Sequence, residues 1–511
     1  MDNSNFRSDN KRLVKNTMML YIRMILTVGI SFYTTRLILS NLGVDDYGTY
    51  NVIGGFVSMF YMVTSTMTGA VSRFLTYEQG HGNLSLQKAT FYSSLNLLLL
   101  LSLLVIILGE TFGLWFVNAK LNIASERIIA SNWVYQFSLI SFLFEMISVP
   151  YSASIVAHEK MGTFAFLTIV KVLLNLLVAI LLSVIPTDKL IFYGVSLFAI
   201  SIAVQLMYWL YCKSNFPECK YECRIDKGVF KNMFGYAGWS FVTVISSMLS
   251  SQGVNILLNM QFGAAVNAAR GIASQINSQA GAFSKNFTMA LNPQITKNYA
   301  AGNYKHTISL VCQGAKFSYL LFLLVALPCM MEIDFVLKVW LKEVPEYTSA
   351  FVELTMLYTL TDVLLNSSLV LNNSTGKIRT YQMLISTTQF FIVICSYVVM
   401  KITNSPIWTS AVMNILYLFI FIPRIQLNKR YVGLDFKMYF NRVLSKVLFV
   451  TVCVFVPTYF VHCCMDMSWL RLILTTITSI VMLGIFTYII ALTEDEKIML
   501  KQCVINKIHK L

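Results

Sequence analysis

Fourteen stretches of this chain are each long and apolar enough to cross a lipid bilayer, and little sequence is left to fold outside one. A spanning helix needs about 20 mostly apolar residues, because each residue rises ~1.5 Å across a hydrocarbon core ~30 Å thick. The segments read as 17–39, 47–75, 89–109, 127–156, 162–185, 190–211 and 234–260, then 264–294, 307–331, 350–371, 379–402, 406–427, 440–462 and 469–492. Of 511 residues 56% are hydrophobic and 12% charged, about half the charged share of an ordinary soluble protein. Lipid cannot satisfy backbone polar groups, so each span must be a helix, and the fold class is all-α polytopic membrane protein. The apolar run after the basic start is too long for a cleavable leader and reads as the first anchor.

Short cytoplasmic loops retain Lys and Arg. With the amino terminus inside, that side collects the basic residues from Arg7 to Lys15, Lys213 to Lys231, Lys429 to Arg442 and Lys497 to Lys510. The outer side receives only Lys120, Lys189, Lys338 and Lys342. Both termini are therefore expected in the cytoplasm. The net charge of +15 follows from this topology, and no basic stripe with interleaved aromatics points to nucleic acid. The ten cysteines are scattered, mostly within spans, as small apolar residues. Cys212, Cys219 and Cys223 share one loop, but their spacing matches no common zinc pattern. Neither a metal site nor a cofactor is expected.

The basic stretches 212–233 and 428–439 are the natural linkers. They divide the chain into a six-helix lobe at 1–212, a second at 213–428, and a helix pair with a cytoplasmic tail at 429–511. A faint internal repeat agrees. Gly43 matches Gly263, and Gly82-Asn83 matches Gly302-Asn303, both at an offset of 220. Glu159-Lys160-Met161-Gly162-Thr163-Phe164 resembles Gly376-Lys377-Ile378-Arg379-Thr380-Tyr381 at an offset of 217. Six crossings per unit preserve orientation, so the two lobes would be related by an axis along the membrane normal.

The segment 264–294 is the least lipid-like. Asn267, Arg270, Ser274, Asn277, Gly281, Ser284 and Thr288 recur at steps of three and four, which is one helix face, and Lys285 lies beside it. The segment 234–260 places Thr243, Ser247, Ser251, Asn255 and Asn259 at four-residue steps, and the first segment carries Arg23, Thr27, Ser31 and Thr34. Small polar residues also glue helices together. Cations are another matter, because a charge near the bilayer centre costs a few kcal/mol. Arg23, Arg36, Arg73, Lys171, Arg270, Lys285 and Lys316 stand at or near membrane depth against Glu145, Glu353 and Asp362. Lys171 either pairs with Glu145 or faces cargo, and Arg36 sits where it can snorkel. Fixed cations among hydroxyls and amides suit a phosphate joined to sugars. Asp362, with Glu145 second, is the candidate to bind a coupling H⁺ or Na⁺; its other role is to neutralise a nearby cation.

The stretch TTRLILSNLGVDDYGTYNVIGGF, ending at Phe56, resembles the start of bacterial polysaccharide exporters of the Wzx type. PYSASIVAHEKM (150–161) and NFTMALNPQITKNYAAGN (286–303) are similar to stretches of the same proteins. The resemblance implies membership of the multidrug, oligosaccharidyl-lipid and polysaccharide exporter superfamily, with two six-helix lobes around a central cavity lined by helices one, two, seven and eight. A pair of helices after the twelfth is similar to that of the peptidoglycan-precursor flippase, where it forms a groove for the lipid tail. The implied activity is not enzymatic. It is the flipping of undecaprenyl-pyrophosphate-linked oligosaccharide across the bacterial inner membrane for O-antigen or capsule synthesis, with polymerase and glycosyltransferases as pathway partners. Arg23, Arg73, Arg270 and Lys285 would hold the pyrophosphate, Thr27, Ser31, Thr243, Ser247, Ser251, Asn255, Asn267, Ser274 and Asn277 would wet the glycan, and membrane lipids would surround the tail. The alternatives are a cation-coupled multidrug antiporter of the same fold, or a membrane glycan polymerase or glycosyltransferase. Gly376-Lys377 lacks the rest of a phosphate loop, so no nucleotide-driven pump is encoded.

Overall fold

Many large apolar side chains face outward, and several hydroxyls lie inside with the apolar core. In the computed structural model Ile402 is 78% and Phe419 73% exposed, while Ser93, Ser94, Ser367 and Ser368 are fully buried. An apolar outer surface is what a lipid solvent selects, since hydroxyls need protein partners there and alkyl side chains do not. The structure describes residues 3–119, 125–220, 226–262, 264–340, 344–494 and 496–497. Lys120, Cys223, Arg224, Gly263, Lys342 and the tail from 498 lie outside the described residues, as do the side chains of Arg7 to Lys15, Arg36, Asn259 and Asn267.

The first unit comprises Val14–Val244. It contains most of α1 (Asn3–His81), then α2 (Leu84–Leu108), which continues through a π-turn into α3 (Leu114–Ala119). α4 (Ile128–Ala157), α5 (Met161–Leu181), α6 (Lys189–Asn215) and the start of α7 (Lys227–Phe262) complete it. α1 is helical over 79 residues, a length of about 118 Å if straight. Its contacts show that it doubles back. Arg23 lies against Phe164 at the start of α5, and the Asn41 amide donates to the Ala179 carbonyl near the end of α5 at 3.0 Å. Asp46 pairs with Arg127 at the start of α4, and Gln79 meets His158 just past its end at 2.8 Å. The expected spans 17–39 and 47–75 are therefore both present. The connection around Gly43, which the expected spans 17–39 and 47–75 leave outside either helix, keeps helical geometry. It is tied down by its neighbours: Lys189 donates to the Asn41 carbonyl at 3.2 Å, beside the Asp46–Arg127 pair.

The second unit comprises Ile245–Leu511 with Met1–Leu13. After α7 come α8 (Ala264–Ala300), α9 (Tyr304–Met331), the short α10 (Ile333–Trp340), α11 (Thr348–Thr375), α12 (Arg379–Thr403) and α13 (Trp408–Val432). α14 (Phe436–Tyr439) runs through a π-turn into α15 (Ser445–Cys463), and α16 (Trp469–Phe486) follows. Among the described residues eleven helices are long and apolar enough to cross a membrane. The two runs of α1 and the polar α8, which the sequence reading also counts as spans, are not among those eleven. α15 and α16 pack on α9: Tyr319 and Thr451 join hydroxyls at 3.0 Å, and Lys316 donates to the Ala491 carbonyl at 2.9 Å.

The internal repeat has a backbone counterpart. Gly82 and Gly302 both take left-handed φ, +71° and +76°, and so do Glu159 and Gly376, at +57° and +75°. A non-glycine residue held there costs about 1 kcal/mol, so Glu159 keeps a conformation that its partner position reaches without strain.

Candidate functional site

Within the first unit the two candidate arginines lie against aromatic faces. The Arg23 guanidinium sits 5.2 Å from the Phe164 ring centre. Arg73 is ringed by Phe74, Tyr77 and Tyr236 at 4.5, 4.8 and 5.7 Å. Each such contact contributes about 0.5–2 kcal/mol. Thr27 turns its hydroxyl proton to the Met24 carbonyl of its own helix at 3.0 Å, and Thr243 does the same toward Trp239 at 3.5 Å. Ser31 is exposed and Ser247 half-buried.

Within the second unit α7 and α8 bring two stripe residues together. Arg270 donates to Asn255 Oδ1 at 2.9 Å, and Asn255 donates to Gln252 at 3.2 Å. A guanidinium carries five N–H donors, and no other partner of Arg270 lies among the described residues. Further along α8, Asn277 Oδ1 and Ser284 Oγ are buried without a hydrogen-bond partner among the described residues. Such groups cost free energy unless something satisfies them. Ser251, Ser274 and Lys285 are exposed.

Two of the three membrane acids, Glu145 and Asp362, pair elsewhere. Glu145 meets Lys171 at 3.3 Å, which resolves the two roles open for Lys171 in favour of an ion pair. Asp362 meets Arg424 at 3.2 Å; Arg424 is 2% exposed and also donates to the Tyr381 hydroxyl at 2.9 Å. Lys316 is bound by Glu496 at 2.7 Å, which gives it a structural role. Two residues were missed in the sequence. Arg424 stands three residues from the expected end of its span, where it reads as an interfacial cation. Glu332 sits just past a span end in the same way, yet it is fully buried and bound by Arg471 at 2.9 Å, His462 at 2.9 Å and the Thr475 hydroxyl at 3.1 Å. A basic residue early in the last span was the signal for that partner. No group of three or more His, Cys, Asp or Glu that could hold a metal occurs among the described residues.

No family model matches the sequence. An uncharacterized membrane protein of Bacillus subtilis (strain 168), EpsK, is 19% identical over 309 residues, which is 59% of this chain and 60% of that protein. The chain thus spans about three fifths of the length of the curated relative it matches. An outward-facing multidrug resistance MATE family transporter of the MOP superfamily overlays with a TM-score of 0.72, covering 83% of this chain and 96% of that one at 11% identity. The chain has the MATE transporter fold. A MATE structure in the straight conformation overlays at 0.71, over 83% and 97% of the two chains at 12% identity. At these identities the likeness concerns architecture alone. It agrees with the all-α polytopic fold read from the sequence, and the protein is a multi-pass membrane protein built on a transporter fold.

Proposed function

We propose that the protein flips an undecaprenyl-pyrophosphate-linked oligosaccharide from the cytoplasmic to the outer leaflet of a bacterial inner membrane. One observation carries the reading: the membrane acids Glu145 and Asp362 are held by Lys171 and Arg424, while Arg270 on the polar stripe faces the neutral amide of Asn255. The stripe keeps its positive charge. Sugars and pyrophosphate cannot cross ~30 Å of hydrocarbon unaided. In this reading Arg23, Arg73, Arg270 and Lys285 hold the pyrophosphate, the Ser, Thr and Asn side chains wet the glycan, and the polyprenyl tail stays in lipid. Rocking of the two repeats alternates access. Energy comes from an ion gradient, the membrane potential or consumption of product.

The MATE fold itself favours a second reading, a cation-coupled multidrug antiporter. Typical drug cargo is cationic and is repelled by the residues named above. Vesicles containing the protein should therefore translocate a labelled lipid-linked sugar and fail to accumulate a fluorescent organic cation. The opposite result would replace the flippase with the antiporter, and glycan chains lengthening in the same vesicles would replace both with a polymerase.

Topology is tested by reporter fusions. Those after Lys231 and Leu511 should report cytoplasm, and one within 332–349 should report the outer side. A cytoplasmic signal from 332–349 would sink the orientation on which the flipping direction depends.

Asp362 is proposed as the coupling carboxylate, with Arg424 as the charge it must leave when it binds H⁺ or Na⁺. Asp362→Asn should bind lipid-linked sugar with near-normal affinity and transport it without regard to the applied gradient. Unchanged gradient dependence would leave Asp362 as the counter-ion of Arg424 and nothing more.

A further inference from the structure

A cleft of about 870 Å³ opens in the second unit where α12 begins, α13 ends and α14 begins, the side that the basic loops assign to the cytoplasm. Its walls are two helix faces. Residues Thr380 to Thr387 of α12 and Pro423 to Arg430 of α13 each line it at positions i, i+3, i+4 and i+7, so it runs about 10 Å along both helices from the membrane surface inward. Its chemistry changes along that length. Lys429, Arg430 and Lys437 stand where α13 ends and α14 begins, and further along the helices the lining is Met383, Leu384, Leu427 and Pro423 with the polar Thr387 and Gln426.

None of the three cations has an ion-pair partner among the described residues. The one acid at the mouth, Asp435, accepts a hydrogen bond from the Met438 backbone N–H at 2.8 Å and so caps α14. An apolar slot at bilayer depth, opening under a cluster of uncompensated positive charge at the interface, matches an amphiphile with an anionic head and an alkyl chain. A soluble acidic peptide would meet the charge and leave the slot unfilled. A zwitterionic lipid would fill the slot, but its own ammonium group would lie against the lysines.

We propose that this cleft is a binding site for an anionic phospholipid of the cytoplasmic leaflet, with the phosphodiester between Lys429, Arg430 and Lys437 and an acyl chain against Met383, Leu384 and Leu427. Juxtamembrane Lys and Arg attract acidic lipid head groups in this way. The lipid would join the end of α13 to the start of α14, the connection that leads from the second repeat into the α15–α16 pair. The site stands independently of the flippase reading, since it shares no residue with the polar stripes.

Native mass spectrometry of the full chain in detergent tests it, with phosphatidylglycerol, phosphatidylcholine of the same acyl chains, and glycerol 1-phosphate as probes. Phosphatidylglycerol should bind about tenfold more tightly than phosphatidylcholine, and the Lys429→Gln/Arg430→Gln/Lys437→Gln variant should lose that preference. Leu427→Trp, which fills the slot and leaves the cations in place, should weaken phosphatidylglycerol binding as well. The triple variant should unfold at the wild-type temperature when no acidic lipid is present, since the substituted charges are exposed. Equal binding of the two lipids, or undiminished phosphatidylglycerol binding by the triple variant, would overturn the proposal. Glycerol 1-phosphate competing at the same concentration as the lipid would make this a plain phosphate site. Displacement of the lipid by a poly-glutamate peptide would make it a protein-docking site.

Discussion

Arg270→Ala is expected to abolish flipping while the protein still reaches the membrane in near-normal amounts. The structure supplies the reason for the separation. Arg270 donates to the amide oxygen of Asn255, so its removal strands a neutral acceptor at a cost of about 1–3 kcal/mol and leaves no buried carboxylate without a partner. Loss of charge-assisted hydrogen bonds to pyrophosphate removes a similar amount from cargo binding, which alone lowers affinity about tenfold to a hundredfold. It also removes the group that pulls the anion into the membrane. Arg270→Lys should recover part of the activity, because an ammonium keeps the charge and lacks the planar fork that engages two phosphate oxygens at once. Export of the glycan measured beside membrane abundance decides the matter. An Arg270→Ala protein that is scarce in the membrane and restored by neutralising Glu353 would show a structural ion pair; Asp362 is already engaged by Arg424. A stable and fully active variant would remove Arg270 from the mechanism.

The membrane spans were legible because lipid imposes a length and a polarity on each of them, and the helices cover every expected segment. Gly82 with Gly302, and Glu159 with Gly376, mark the repeat in the sequence and again in left-handed φ. The connection near Gly43 was not legible. A reversal held by Asn41, Asp46 and Lys189 depends on partners more than 80 residues away, and nothing local to Gly43 reports them. The site shows the same division. Helical spacing placed Arg270 and Asn255 on polar faces, yet the bond between them belongs to the packing of α7 on α8. Which cation takes which acid was beyond reach, since Arg424 and Glu332 look interfacial along the chain and become buried only when α13 packs on α11 and α12 and when α15 and α16 pack on the end of α9. Periodicity identifies a face; it does not say what the face meets.

Glu332→Ala is expected to have the largest effect on stability. The carboxylate is fully buried and holds Arg471 at 2.9 Å, His462 at 2.9 Å and the Thr475 hydroxyl at 3.1 Å, so it ties the end of α9 to both α15 and α16. Arg471 is itself nearly buried. Removing its partner leaves a cation without compensation in a low-dielectric site, which destabilises by about 3–5 kcal/mol. The purified variant should unfold at a clearly lower temperature in detergent, and proteolysis should appear first in the turn between Cys463 and Trp469, where the α15–α16 pair loses its anchor. His462→Ala should cost much less, because that ring is partly exposed. The double variant Glu332→Leu/Arg471→Leu separates charge from packing. Two apolar residues of fitting volume remove the stranded cation together with its partner, and replacement of a buried pair in this way is often neutral or stabilising. Its unfolding temperature should therefore return toward that of the wild type. If the double variant is as unstable as Glu332→Ala, the loss comes from packing and not from an uncompensated Arg471. If Glu332→Ala unfolds at the wild-type temperature, the carboxylate does not anchor the carboxyl-terminal pair at all.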